Sequence, residues 1–398
     1  MENDNFIWSG HEWDCQEDMA WFIDAERDVL CCLNFQTGEC DGIAKVPNES
    51  VNKFMQNTRC IKVENEIFCM PCYGNKIWIY DLLNKKFEFI EVENVETEHP
   101  YMENAYLYEE QIYAISRSMR KAVVIDVKTK KVTYYPLNVS EEDKFLGSCI
   151  RVEREIYYVS FSNRIYMFDM DSKRNTLYSI LDEETKLTSI CFDGEQFWMS
   201  GYRKQIYIWN KKNNSVRIVE NFPKIFGSYL FSEEKDEILD CEPNEYDVQL
   251  FCQLKLAGNY IWAIPYRTNF VLYIHKDTLE IQMMFIEDED ETKESLMRKG
   301  RRPFKFFWQY LRNDRFIGIF SLKNNCILEI DSECLEARRR KYMLSVNYAR
   351  IICAEKVMWE SNSVERMLFA RALNGDQTST NSIQRTGQVG RFIYNSLK

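Results

Sequence analysis

The sequence predicts an all-β chain, and three observations support this fold class. Aromatic residues are abundant, with 25 Phe, 23 Tyr and 9 Trp among 398 residues, and aromatic side chains favour strands over helices. Two short apolar runs followed by a polar turn recur along the chain, and we find this pattern seven times. Helical periodicity is missing between Trp21 and Met343. Together these features predict a closed β-propeller of about seven four-stranded blades.

In each repeat the second apolar run ends at a polar residue, usually Asp, which we call the anchor. Thr or Asn often follows three residues later, as at Thr37, Thr129, Asn213 and Thr278. Because Asp and Asn side chains accept hydrogen bonds from the turn backbone, each anchor predicts a hairpin turn. Successive anchors are about 40 to 65 residues apart, and propeller blades repeat at about 40 to 50 residues. The seven anchors are Asn34, Asp81, Asp126, Asp169, Asn210, His275 and Asp331.

The first apolar run lies roughly 13 residues before each anchor. Both runs are nearly continuous rather than alternating, which is typical of strands that are covered on both faces. The segments after the anchors are polar, as in 128–133, and predict an exposed outer strand. The first runs contain the pairs Trp21-Phe22, Ile67-Phe68, Ile112-Tyr113, Ile156-Tyr157, Phe197-Trp198, Ile261-Trp262 and Phe316-Ile317.

Segments at both ends of the repeat region compete to complete the first blade. After the seventh anchor the sequence predicts a strand pair, Tyr348–Cys353 and Val357–Glu360, and before the first repeat it predicts a strand at Asn5–Trp8. One of them is expected to complete the first blade, and the leftover keeps six or eight blades as alternatives to seven. Closure of the ring would remove the sheet edges that promote aggregation.

The repeat resembles the kelch-like and WD-like families of propeller repeats over roughly Asn5–Glu360. The resemblance is at the superfamily level, because the Gly-Gly pair of kelch repeats is absent. The single Trp-Asp pair, Trp13-Asp14, lies outside the expected register. The resemblance therefore implies the fold, and no functional residue is carried over from either family.

The remaining C-terminal sequence predicts a short helical tail, so we divide the chain into a propeller at 1–360 and a tail at 361–398. Ser361–Ala372 has apolar residues at helical spacing, and Gly375 is expected to end that helix. Val389–Leu397 predicts a second short helix. These helices are expected either to pack on the propeller or to bind a partner.

Composition limits the compartment and the partners. The net charge of −11 argues against a general nucleic-acid binder. The first ten residues lack the basic and apolar regions of a signal peptide, and no apolar run approaches the roughly 20 residues that span a bilayer. Fourteen Cys without a framework spacing predict free thiols in a reducing compartment. We expect a cytoplasmic protein without membrane contact, and a monomer rather than an obligate oligomer.

The sequence predicts no catalytic residue, metal site or cofactor. The three His, His11, His99 and His275, fall in different repeats, and His275 is expected to be a structural anchor. Metalloprotease and phosphate-binding glycine motifs are missing. The CxxC pair Cys69 and Cys72 lacks the second pair that zinc sites need, so we expect a structural role, with redox and metal roles as alternatives.

Cations recur in the loops that join the second and third strands, and these loops share one rim of the predicted ring. Loops on a rigid scaffold concentrate binding residues, and a ring of cations attracts anions even on an acidic protein. Arg beside Tyr suits phosphate, carboxylate or sugar recognition; the alternative is that these tips are merely solvated. The predicted ligand-binding residues are Arg27, Lys76, Arg120, Arg164, Arg203, Arg267, Lys323, Tyr202 and Tyr266.

Two long connections between blades open on the same rim. Gly227–Val248 is acidic, and Glu287–Pro303 is acidic at its start and basic at its end. Opposed charge blocks are usually solvated loops, and the alternative is a lid over the cationic rim.

These features favour a non-enzymatic interaction or scaffold module that binds a protein, an anionic small molecule or a glycan through the loop-rich rim. The alternative is a glycan-acting enzyme of the hydrolase or lyase type, with carboxylates and aromatic residues at the central mouth. Glycosidases use a pair of Asp or Glu residues, and no carboxylate pair stands out in the sequence.

Overall fold

The computed structural model describes residues 9–354 and confirms the predicted fold class. Seven four-stranded antiparallel sheets follow one another along the chain. They form the blades of a propeller, which we number in chain order. Within 9–354, the description leaves out residues 26, 48–55, 94–98, 103, 117, 141–142, 144–146, 203–204, 223–230, 233–236, 239–250, 266–267, 287–305, 322–325 and 341.

Each of the first four blades takes its strands from one continuous stretch. Blade 1 contains β1 (Asp14–Gln16), β2 (Met19–Asp24), β3 (Val29–Asn34) and β4 (Glu39–Lys45). Blade 2 contains β5 (Asn57–Val63), β6 (Glu66–Pro71), β7 (Lys76–Asp81) and β8 (Lys86–Glu91). Blade 3 contains β9 (Asn104–Tyr108), β10 (Gln111–Ile115), β11 (Lys121–Asp126) and β12 (Val132–Pro136). Blade 4 contains β13 (Cys149–Val152), β14 (Glu155–Val159), β15 (Arg164–Asp169) and β16 (Arg174–Ser179).

The last three blades follow the same plan. Blade 5 contains β17 (Leu187–Phe192), β18 (Phe197–Gly201), β19 (Ile206–Asn210) and β20 (Ser215–Val219). A small hairpin, β21 (Phe231–Ser232) and β22 (Glu237–Ile238), lies in the connection to blade 6. Blade 6 contains β23 (Phe251–Ala257), β24 (Tyr260–Pro265), β25 (Phe270–His275) and β26 (Ile281–Phe285). Blade 7 contains β27 (Phe306–Arg312), β28 (Phe316–Ser321), β29 (Cys326–Asp331) and β30 (Glu336–Arg340).

The first strand of each blade is the innermost one. First strands of neighbouring blades contact one another, as β17 contacts β13 and β23. The two middle strands are almost wholly buried, whereas fourth strands such as β8, β16 and β30 are largely exposed. The predicted polar outer strand is therefore confirmed.

The hydrophobic core is divided between the blades. Seven clusters of buried side chains occupy the seven interfaces between neighbouring blades. The cluster between blades 7 and 1 joins Trp13 and Phe22 to Tyr310 and Phe320, and Trp13 stacks on Phe22 with ring centroids 4.1 Å apart. Because this last interface is filled like the others, the ring is closed.

The anchors cap the turns between the third and fourth strands, as the sequence predicts. Each anchor side chain accepts one or two backbone N–H bonds from the turn; His275 does so through Nδ1, at 3.3 Å from the nitrogens of Asp277 and Thr278. The fourth residue after every anchor has a positive φ, which completes the turn. The bonds lie at Asn34, Asp81, Asp126, Asp169, Asn210, His275 and Asp331.

The predicted strand at Tyr348–Cys353 is wrong, because this segment lies in the helix α1 (Val346–Ala354). Blade 1 already has four strands, so the C-terminal segment adds only a short fifth one, β31 (Met343–Leu344), parallel to β4. Ser345 then caps the helix by accepting a hydrogen bond from the backbone N–H of Tyr348 at 3.1 Å. Tyr348 and Ile351, three residues apart, face the blade 1 core.

Gly42 permits this contact between the helix and blade 1. A Cβ at Gly42 would lie 2.7 Å from the Cα of Tyr348, so only glycine fits. The strands predicted at Asn5–Trp8 and Val357–Glu360 and the tail at 361–398 lie outside the described residues.

Candidate functional site

Strand order divides the loops of the propeller between two faces. Neighbouring strands within a blade are antiparallel, so the loops between second and third strands lie at the same end as the connections between blades. We call this end the loop-rich face. The opposite end carries the short turns between first and second strands and the anchor turns, and we call it the capped-turn face.

The predicted ligand-binding residues lie on the loop-rich face wherever the structure describes them. Arg27, Lys76, Arg120, Arg164 and Tyr202 fall in, or at the ends of, loops between second and third strands. Arg203, Arg267, Lys323 and Tyr266 lie outside the described residues.

Arg27 is part of a buried cluster that joins blade 1 to the C-terminal helix. Its Nη1 lies 3.1 Å from Oδ2 of Asp24, whose side chain is fully buried. The hydroxyl of Tyr348 donates to the same carboxylate oxygen, and Nη1 of Arg27 lies 3.4 Å from this hydroxyl. Arg27 therefore holds the chain end against blade 1.

Arg164 holds a connection between blades in a similar way. Its Nη1 lies 3.3 Å from Oδ1 of Asp143, whose side chain is only 1% exposed. Asp143 belongs to the connection from blade 3 to blade 4, and Tyr166 donates to its other oxygen at 2.5 Å. Truncation of one member of a buried ion pair destabilises a fold, so Arg164 has a structural role.

The other described residues of the predicted set have local surroundings as well. The ammonium group of Lys76 lies 4.0 Å from the centroid of Phe89, on the outer strand of its own blade. Tyr202 lies beneath Lys186, whose Nζ is 5.7 Å from the ring centroid. Arg120 has a positive φ of 51° at its hairpin tip. A common ligand for these residues stays a prediction.

Three aromatic side chains meet on the loop-rich face between blades 2 and 3. The ring of Tyr73 lies edge-to-face with His99 at 5.1 Å and with Tyr101 at 5.4 Å. All three are partly exposed. Such rings offer flat apolar contact area with polar edges, which suits protein and sugar partners.

The first strands bring a second group of polar side chains together at the axis, and the sequence analysis missed it. Nζ of Lys255 on β23 lies 3.0 and 3.1 Å from the carboxylate oxygens of Glu12, which precedes β1. Arg59 on β5 donates from Nη1 to the carbonyl oxygen of Glu12 at 2.5 Å. Blade 7 separates blades 6 and 1, so the Lys255–Glu12 pair reaches across the ring. We call Glu12, Arg59, Lys255 and Trp308 the axial cluster.

Trp308 on β27 provides the aromatic side of the axial cluster. Nζ of Lys255 lies 4.9 Å from the centroid of its indole ring, a distance at which cation–π attraction operates. Close by, Nε2 of Gln253 donates to Oγ of Ser148 at 3.2 Å and links blade 6 to the segment before blade 4. Polar groups from several blades therefore line the axis.

Charge pairing fixes the ionisation of the axial cluster. Burial alone would raise the pKa of Glu12, but Lys255 and Arg59 outweigh it and hold the pKa at about 2. Burial would lower the pKa of Arg59, but Glu12 and Asp14 raise it above its usual value. Glu12 and Arg59 are therefore both charged at neutral pH.

The cysteines of the CxxC pair have the character of buried structural thiols. Cys69 faces Cys60 across the β5–β6 pair, and burial raises the pKa of both thiols. Cys72, the second residue of the CxxC pair, is also buried. Thiolates rather than thiols attack and bind metals. Among the described residues, no three His, Cys, Asp or Glu side chains form a metal-binding group.

No described helix is long and apolar enough to cross a membrane. Neither protein-family models nor curated proteins give a match to the sequence.

Solved structures match the fold. A catalytically inactive variant of virginiamycin B lyase from Staphylococcus aureus, solved with quinupristin, matches with a TM-score of 0.56 and 11% identity, over 83% of this chain and 96% of that one. The computationally designed Ika8 protein matches with a TM-score of 0.52 and 8% identity, over 86% and 88%. PorZ, an essential bacterial surface component of the type-IX secretion system of Porphyromonas gingivalis, matches with a TM-score of 0.49 and 12% identity, over 73% and 34%.

At such low identities the first two matches show that this chain shares the propeller fold, and they show nothing about its chemistry.

Proposed function

We propose that this propeller is a non-enzymatic interaction module that binds a protein or an anionic ligand through its loop-rich face. The observation that carries this proposal is the difference between the two faces. The capped-turn face repeats one short turn geometry in all seven blades. The connections 220–250 and 286–305 join strand ends that lie on the loop-rich face, where β20 and β26 end and β23 and β27 begin.

The side chains of the loop-rich face support the same proposal. The aromatic group of Tyr73, His99 and Tyr101 adds adaptable contact area, and aromatic residues are enriched at protein interfaces. Free thiols and the charge balance are consistent with a cytoplasmic monomer, and the kelch-like or WD-like character of the repeat belongs to the same proposal.

The alternative, a glycan-acting enzyme, is less well supported by the axial cluster. Glycoside hydrolysis needs a carboxylic acid with a raised pKa to protonate the leaving group. Glu12 has a pKa of about 2 and is paired with Lys255, so it is unsuited to donate a proton.

Affinity capture with matched variants tests the proposal. One variant replaces Arg120, Arg203 and Arg267, which come from the sequence between second and third strands, with Ala; Arg164 is left intact because of its partner Asp143. The control replaces Lys86, Lys128 and Lys212, which are exposed and lie at the capped-turn face, so it loses the same charge. Each is immobilised and exposed to an extract of the native cell.

We expect the loop-rich variant to capture its partner at least tenfold less well than the control, with equal unfolding midpoints. Equal capture by both variants would overturn the role of these cations. Loss of capture in the control alone would place binding on the capped-turn face and would overturn the proposal.

A further inference from the structure

We propose that the axial cluster binds the oxyanion group, a carboxylate or a phosphate, of a small ligand that enters from the loop-rich face. This inference goes beyond the proposed function, because it concerns the axis and a small molecule rather than capture of a partner by the loops.

The first argument is an excess of hydrogen-bond donors. Among the described residues, Arg59 makes one hydrogen bond, from Nη1 to the carbonyl of Glu12, and a guanidinium has five N–H groups. Within the same described residues, Lys255 donates hydrogen bonds only to Glu12. The buried indole N–H of Trp308 has no acceptor in the described part of the chain. Donors without acceptors at three converging side chains suit an oxyanion, which offers only acceptors.

The second argument is access. The side chains of Lys255 and Glu12 are 17% and 24% exposed, and those of Arg59 and Trp308 are also partly exposed. Strand register puts Arg59 opposite Met70, next to the loop-rich end of β6. It likewise puts Trp308 opposite Ile319, two residues from the same end of β28. The cluster therefore opens towards the loop-rich face.

The third argument concerns Glu12, the carboxylate that already accepts hydrogen bonds from Lys255. Asp14, the other carboxylate near Arg59, accepts from Nε2 of Gln16 at 3.0 Å and from the backbone N–H of Lys62 at 2.8 Å. Glu12 alone carries a side-chain charge that competes with a ligand for Lys255. With Asp14 counted beside the axial cluster, the charges are two of each sign and cancel, so a ligand is held by the spare donors of Arg59 and by exchange with Glu12. Arg matches the two oxygens of such a group with its planar fork.

Titration calorimetry tests this inference with two probes, inorganic phosphate and acetate, at constant ionic strength set with sodium chloride. Three variants are compared with the unaltered protein: Arg59→Met, Glu12→Gln and Arg151→Met. Arg151 is the matched control, because it also lies on a first strand and donates from Nη1 to a carbonyl, that of Leu107 in blade 3.

We expect saturable binding of at least one probe, a loss of tenfold or more in Arg59→Met, and unchanged binding in Arg151→Met. Glu12→Gln should bind at least threefold more tightly, since it removes the competing charge and keeps the shape. A purely structural ion pair predicts no such gain. If Arg59→Met fails to fold, the gain in Glu12→Gln still decides the question.

The probe that binds identifies the ligand as a phosphate or a carboxylate. Absence of saturable binding in both the unaltered protein and Glu12→Gln would overturn the proposal, as would equal loss in Arg59→Met and Arg151→Met. Partner capture by the loop-rich face is measured separately, so failure here leaves the proposed function standing.

Discussion

At the scale of single residues, Asp28 is a buried carboxyl group whose backbone hydrogen bonds from Asn57 and Gln56 do not offset the effect of burial. It lies at the second–third loop of blade 1 with a positive φ of 50° and is 5% exposed. Its Oδ1 receives no hydrogen bond within the described part of the chain. Burial raises the pKa of Asp28 to about 6, against a partial opposing effect of Lys45. The residue therefore costs stability whenever it is ionised.

Replacement of Asp28 by Asn should make stability less dependent on pH. The folded protein holds this proton more tightly than the unfolded chain, whose pKa is 3.8. Its contribution to stability is therefore full below pH 3.8 and is lost as the pH rises through 6. A change of roughly two pKa units corresponds to about 3 kcal/mol. We expect the free energy of unfolding of Asp28→Asn, relative to the unaltered protein, to rise by up to about 3 kcal/mol between pH 4 and pH 7.

Urea unfolding of both proteins at several pH values measures this difference. Asn tolerates a positive φ, so the backbone is not strained by the change. A constant difference between the two proteins across this pH range would show that Asp28 does not titrate as proposed.

At the scale of elements, lysines from the anchor turns fasten successive blades to one another. Lys130 of blade 3 contacts Glu66 of blade 2 and lies over the ring of Phe68 at 4.7 Å. Lys173 of blade 4 contacts Gln111 and the hydroxyl of Tyr113 in blade 3. In each pair the lysine reaches the start of the second strand of the preceding blade, and so reinforces the apolar interface between blades.

The same contact recurs once more between blades 4 and 5, and it offers a clean test. Nζ of Lys211 lies 2.8 Å from Oε2 of Glu155, at 33% and 24% side-chain exposure, and also contacts the hydroxyl of Tyr157. We expect Lys211→Met to lower the free energy of unfolding by about 1–2 kcal/mol, because it leaves the half-buried carboxylate of Glu155 without its cation while Tyr157 still donates to it.

Lys128→Met is the control for this prediction, since its pair with Glu110 is 70% and 66% exposed. Exposed pairs contribute about 0–1 kcal/mol, so urea unfolding of this variant should differ little from that of the unaltered protein. Equal effects of the two substitutions would show that the contact between blades adds nothing.

The anchors could be predicted from sequence, whereas the lysine contacts could not. An anchor acts on its own turn, so its role is visible within four residues of the chain. Lys130 and Lys173 are the fourth residue after their anchors, but Lys211 is the first after Asn210. Each lysine contacts the start of the second strand in the preceding blade. This contact depends on how neighbouring blades are placed, and no local sequence pattern reveals it. The sequence predicted a strand within 346–354 because this segment contains β-branched and aromatic residues. It forms a helix instead, because Ser345 provides an N-cap and the first blade already has its four strands.

For the candidate site, too, some residues could be predicted from the sequence and others could not. The hairpin tips follow from the repeat and were found. Arg27 lies only three residues from its partner Asp24. Its contact with Tyr348 and the pairing of Arg164 with Asp143 depend on the fold and could not be predicted from the local sequence. The axial residues were missed because the first strands were not assigned. A signal was present in β23, where Leu254 and Leu256 flank Lys255, an alternation typical of a strand with one polar side.

At the scale of the whole molecule, both ends of the propeller region meet in blade 1. The N-terminal side supplies Trp13, and the C-terminal side supplies Tyr342 and Tyr348 to the same buried cluster. Tyr342 and Tyr310 share a hydrogen bond between their hydroxyls at 3.2 Å. Through β31 and α1 the chain end also covers the outer edge of β4. The ring is thus closed by side chains and by backbone together.

A chain that ends at Arg340 should therefore be less stable and should associate with other copies of itself. It lacks Tyr342, Tyr348 and the partly buried Ile351, and the loss of one large buried aromatic side chain alone costs about 3–5 kcal/mol. It also exposes the edge of β4, and an uncovered edge strand pairs with other chains. We expect a loss of at least about 4 kcal/mol in urea unfolding, and oligomers by light scattering. A chain that ends at Glu360 keeps β31 and α1 and is the control: unfolding at the same urea concentration for both chains would mean that blade 1 is complete without its C-terminal cover.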